Sequence, residues 1–108
     1  MNWQDDIRAT QETIQGTNVP RSFVLKGRIV NGKEVWVHGH ATKHMEESIV
    51  KYARGSTLYE GELMNSFIAD VDRLVPKAVP GGRMFFETPF WRIGIDTNDA
   101  VIFHALPR

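Results

Sequence analysis

Three of the four histidines fall within seven residues, as His38, His40 and His44 in Trp36-Val-His-Gly-His-Ala-Thr-Lys-His44. The fourth, His104, lies in the strand-like run Val101-Ile-Phe-His-Ala, close to the last residue. Imidazole is the side chain whose unperturbed pKa lies near neutrality, so such a cluster with a distant partner suits metal binding or acid–base chemistry. For metal, His40 and His44 have the four-residue spacing that aligns two ligands on a helix. The glutamate that a zincin motif needs directly after its first histidine is replaced by Ala41, and no further carboxylate stands at obvious ligand spacing. No metal and no cofactor is therefore expected. A metal-dependent nuclease using His38, His40 and His44 is a lesser alternative.

Acid–base cleavage of RNA fits the residues better. The nucleophile, a 2′-hydroxyl, is already in the substrate. The protein must supply a base for its proton, an acid for the leaving 5′-oxygen, and a cation or donor near the crowded phosphorus. His44 or His38 with His104 could form the proton-transfer pair, with Lys43, Arg92 and Thr88 as phosphate partners and Trp36, Trp91 or Phe90 as base-stacking rings. Each has a plainer reading. Aromatics usually fill cores, a lysine usually faces solvent, and histidines at a strand-to-helix junction can be structural. An inert binding domain is the main rival from another class.

These side chains must be positioned by elements that the periodicity suggests. Trp3, Ile7, Thr10 and Ile14 share one helical face, with Asn2 as a candidate N-cap and Gly16 as a stop, which predicts an N-terminal helix. Ser22–Lys26 and Glu34–His38 flank Asn31-Gly32, a hairpin signal. Ala41, Met45, Ile49 and Tyr52 or Ala53 repeat at helical spacing up to Gly55, which suits a C-cap. A second helix is expected from about Leu58 to Val75. Three strands follow, over 84–87, 90–95 and 100–105. The expected class is α+β, with helices on one face of a mostly antiparallel sheet of four to five strands. If Ile95 pairs with Ala100 around the Asp96–Asp99 turn, Ile93 faces Ile102 and Trp91 faces His104 on the helix-covered side. A one-residue slip would reverse that assignment.

Composition bounds the remaining choices. The chain has 108 residues, the size of one domain, and is 42% hydrophobic, which excludes a disordered polymer. No stretch approaches a membrane span and there is no signal-peptide pattern, so no membrane partner is expected. Cysteine is absent, which removes disulfides and thiolate metal sites. Thirteen basic residues balance thirteen acidic ones. The distribution is uneven, however. Arg21–Arg54 carries a local excess of +4, from seven Lys/Arg against Glu34, Glu46 and Glu47, and this segment holds three histidines.

Several words of the sequence resemble C-terminal toxin domains of bacterial polymorphic toxins, including contact-dependent growth-inhibition effectors and Rhs-type proteins. They are Pro20-Arg-Ser-Phe-Val-Leu, Val35-Trp-Val-His38, Ala41-Thr-Lys-His-Met-Glu46, Trp91, and Val101-Ile-Phe-His-Ala-Leu-Pro107. Many such domains belong to the barnase–EndoU–colicin–RelE group of ribonucleases, which cut RNA, often tRNA, without metal. The resemblance implies catalytic His38, Lys43, His44 and His104. It also implies release from a larger secreted effector, action in the target-cell cytoplasm, and neutralisation by a cognate immunity protein. A monomeric domain spanning residues 1–108 is expected. His40 stands where relatives are expected to carry another residue, and the neutral net charge departs from the basic character usual in the group.

Overall fold

The structure is a computed structural model that describes residues 2–52 and 57–108. Asn31 and Gly32 both adopt positive φ (50° and 75°), the backbone that a two-residue hairpin turn requires. They join β2 (Phe23–Val30) to β3 (Lys33–Val37) in the expected hairpin. A bulge between Leu25 and Ile29 interrupts it, where Gly27 takes φ 77° and its N–H donates to Glu34. Helices α1 (Gly39–Tyr52) and α2 (Thr57–Leu74) follow, then β4 (Arg83–Glu87), β5 (Trp91–Asp96) and β6 (Val101–Pro107). The cap expected at Gly55 and the stripe position Ala53 lie outside the described residues.

The expected N-terminal helix is not formed. Asn2 does cap a turn, accepting from the Gln4 N–H, but the turn is a single 3-10 stretch over Trp3–Asp6. The chain then becomes β1 (Ile7–Ala9), paired antiparallel with β2. Ile7, Thr10, Thr13 and Ile14 are β-branched and lose side-chain freedom in a helix. Pairing with β2 satisfies the backbone without that loss, and Trp3 and Ile14 still reach the core. This adds a sixth strand to the four or five expected.

The sheet order is β1-β2-β3-β6-β5-β4, antiparallel except for the β3–β6 pair. The class is α+β, with two helices packed against a mixed sheet. Helix α2 covers one face. Its Phe67 ring meets Phe23 of β2 at 6.4 Å and Trp91 of β5 at 5.1 Å, close enough for favourable edge and tilted contacts. Helix α1 lies differently. The β3–β6 ladder stops at Val37 and Ile102, and the chain that leaves β3 continues as α1 beside the rest of β6. Ala41, Met45 and Ile49 point into the shared core. Among the described residues no helix is long and apolar enough to cross a membrane.

The last hairpin corrects the expected register. The turn closes one pair later, at Asp96 and Val101, because the Asp96 carboxylate accepts from the N–H groups of Asn98 and Asp99 while Ala100 takes φ 59°. Ile95 therefore faces Ile102. A bulge then inserts Phe103, so that Gly94 faces His104, Ile93 faces Ala105 and Trp91 faces Pro107. One extra residue exchanges the two faces of a strand. Ala105 takes the buried place expected for His104, and His104 turns to the face that α2 leaves open.

Candidate active site

Because α1 runs beside β6, a histidine on its outer side can reach a strand residue on the open face. His44 does so. Its ring meets that of His104 with centroids 5.2 Å apart and planes nearly perpendicular. The two side chains thus converge as expected, but through the edge position of α1 and the bulged register of β6. His44 is about a third exposed (34%), and its Nδ1 lies 3.4 Å from Glu47, one turn further along α1. His104 is half-buried and has its pKa pushed below the ordinary imidazole value. Burial contributes most, followed by the positive potential of His44 and of Arg92. The shift favours the neutral, proton-accepting form of His104.

Arg92 belongs to this site. Its guanidinium lies over the Phe85 ring, 4.4 Å from the centroid, and its Nε is 3.4 Å from Glu87. Phe85 in turn is 6.1 Å from His104.

His38 and His40 form a second pair, stacked at 4.9 Å with planes almost parallel. His38 occupies the N-cap position of α1. Its Nδ1 accepts the N–H of His40 at 3.1 Å, and its carbonyl accepts from Ala41 and Thr42. Side-chain acceptors at this place satisfy donors that the first helical turn leaves free. The accepting Nδ1 carries no proton, which leaves Nε2 as the donor. Trp36 packs edge-on against His38 at 5.2 Å and donates its Nε1–H to Thr10. Trp36, His38, His40 and the exposed Lys43 line a depression of about 330 Å3 together with Gln11 and Ser22. His40 and His44 stand one helical turn apart, so the two histidine pairs are neighbours along one side of α1.

Three expected substrate partners lie elsewhere. Trp91 is 1% exposed, packs on Phe67 and donates its indole N–H to Ser66 of α2, so it cannot stack on a nucleobase. Thr88 fixes the β4–β5 turn. Its hydroxyl donates in a short hydrogen bond to buried Asp70 and accepts from the N–H groups of Phe90 and Trp91. A hydroxyl so engaged is not available to a phosphate. Phe90 is exposed but sits beside Thr88 and Asp70, away from the histidines.

The basic excess around the histidines is also partly offset by acids from other segments. Arg28 is clamped by Asp72 and, less strongly, Asp6, which raise its pKa, and Lys33 lies 3.5 Å from Asp99. Lys43 stays exposed at the depression. Among the described residues no three His, Asp or Glu side chains gather as a metal-ligand set. No protein-family model matches the chain, and no curated protein matches it.

Proposed function

We propose that the chain is a ribonuclease domain that cleaves RNA without a metal ion, by transesterification between His104 and His44. The observation that carries this reading is the 5.2 Å approach of the two rings, and the surroundings of His104 favour its neutral form. In the proposed step His104 takes the proton of a 2′-hydroxyl as that oxygen attacks phosphorus. The bond from phosphorus to the 5′-oxygen breaks, and His44 gives that oxygen its proton. The products are a 2′,3′-cyclic phosphate and a free 5′-hydroxyl. Arg92 stabilises the charge that builds on the phosphoryl oxygens. Lys43 and Trp36, at the neighbouring depression, hold the flanking nucleotide. Glu47 orients the His44 ring.

The resemblance to polymorphic-toxin domains supplies the biological setting of the proposal. The domain is delivered as part of a larger secreted effector, acts in the cytoplasm of the target bacterium with transfer RNA as the first substrate to test, and is held inactive by an immunity protein. The capping role of His38 favours a second reading, an RNA-independent binding domain with structural histidines.

One experiment separates the two. The domain is expressed briefly and total RNA is resolved on a denaturing gel, with purified domain and RNA incubated in parallel in excess EDTA. A discrete shortened RNA band, formed in EDTA and reduced about 10²–10⁴-fold by His44→Ala or His104→Ala, is expected. The double variant should be little worse than the worse single one, since the pair works as a unit. Folded His44→Ala and His104→Ala chains that keep full toxicity would give the function to the binding reading. Activity lost in EDTA and restored by zinc or magnesium would replace the proposed mechanism with a metal-dependent one.

A further inference from the structure

The sheet face turned away from α2 carries side chains that neither the core nor proton transfer uses. Phe85 of β4 and Phe103 of β6 meet edge to face at 5.7 Å, across Gly94 of the strand between them. Gly94 is what allows the contact, because a Cβ there would sit 2.8 Å from atoms of both rings. The Arg83 guanidinium lies over Phe103 at 4.6 Å, as Arg92 lies over Phe85 at 4.4 Å. Phe85 is still 49% exposed with that cover. Glu87 faces Arg92, whereas Arg83 makes no ion pair among the described residues.

A guanidinium held over a ring has already lost part of its freedom, so less is lost when it grips a phosphate. The exposed part of the Phe85 ring is a surface on which a nucleobase stacks. Alternating rings and cations on an open sheet are what an unpaired strand needs, whereas a duplex keeps its base faces covered. The two arginines favour a polyanion over an apolar protein partner on this patch.

We propose that the open sheet face is a subsite for an unpaired nucleotide next to the cleaved phosphodiester, with the base stacked on Phe85 and the phosphates held by Arg83 and Arg92. The substrate of the site is accordingly single-stranded RNA. The position of the cleaved bond rests on the ribonuclease reading above; the subsite itself rests on the rings, the cations and Gly94.

The test is binding without turnover. The His44→Ala chain is titrated against a fluorescent single-stranded RNA oligonucleotide and against the same strand annealed into a duplex, with anisotropy as the readout. The single strand is expected to bind at least tenfold more tightly. Phe85→Leu on that background keeps apolar bulk but removes the π face, so single-strand affinity should fall roughly tenfold with the unfolding midpoint unchanged. Arg83→Gln should weaken binding and flatten its salt dependence. Equal affinity for the duplex, or full affinity in Phe85→Leu, would overturn the subsite while leaving the histidine pair standing. Conversely, a folded His104→Ala chain that still cleaves RNA would end the catalytic assignment, and these binding results would stand without it.

Discussion

His104 is pushed toward its neutral form by burial first, then by His44, then by Arg92. A base must be unprotonated to act, so a depressed pKa extends its working range toward acid. Under the proposed mechanism, kcat/KM for a short RNA should climb as pH rises through the pKa of His104, along a limb that lies below the ordinary imidazole value of about 6.5. Arg92→Met removes one of the three causes and should move that limb to higher pH, besides lowering the plateau. A kcat/KM profile, paired with NMR titration of the imidazole protons, reads both effects. A His104 ring that titrates at or above the ordinary value would sink the assignment of His104 as base.

Helix α1 begins where β3 stops, and His38 makes the junction. Its ring accepts the His40 N–H and its carbonyl accepts two further helical donors. His38→Ala should therefore lower stability by about 1 kcal/mol, the usual cost of losing an N-cap acceptor, while His38→Asn should recover most of it. Urea unfolding of the three chains measures the difference. Cleavage should follow stability in this series. If His38→Asn folds normally yet loses as much cleavage as His104→Ala, then His38 takes part in proton transfer and is not only a cap.

Across the whole molecule, α2 is tied to the β4–β5 turn and the start of β5 by two part-buried polar links, Thr88 to Asp70 and Trp91 to Ser66. Asp70 is 1% exposed and also receives Arg73. Removing the Thr88 hydroxyl leaves a buried carboxylate oxygen without that donor and the turn without its acceptor. Thr88→Ala should cost about 1–3 kcal/mol of stability, seen as a lower unfolding midpoint. RNA cleavage per folded molecule should be unchanged, because the turn is not part of the histidine cluster. A Thr88→Ala chain with normal stability but weakened RNA binding would restore Thr88 as a phosphate contact.

Much of this protein was legible in its residues because the relevant signals are local. Asn31-Gly32 requires a hairpin, the spacing of Ala41, Met45 and Ile49 requires a helix, and the chemistry of four imidazoles points to proton transfer wherever they meet. The N-terminal helix does not form because Trp3 and Ile14 bury equally well from a turn and a loop, with Ile7 partly buried between them, and only the free edge of β2 selects among these conformations. Trp91 and Thr88 carry groups that RNA could use, but their hydrogen-bond partners, Ser66 and Asp70, lie on a helix that sequence spacing does not bring near them. The meeting of His44 with His104 depended on two tertiary events. One is the early end of the β3–β6 ladder, which leaves a strand edge for α1. The other is the bulge at Phe103, which turns His104 to the open face. Periodicity reports which side of an element is buried, but which edge a helix fills and where a strand gains a residue are settled by packing between segments distant in the chain.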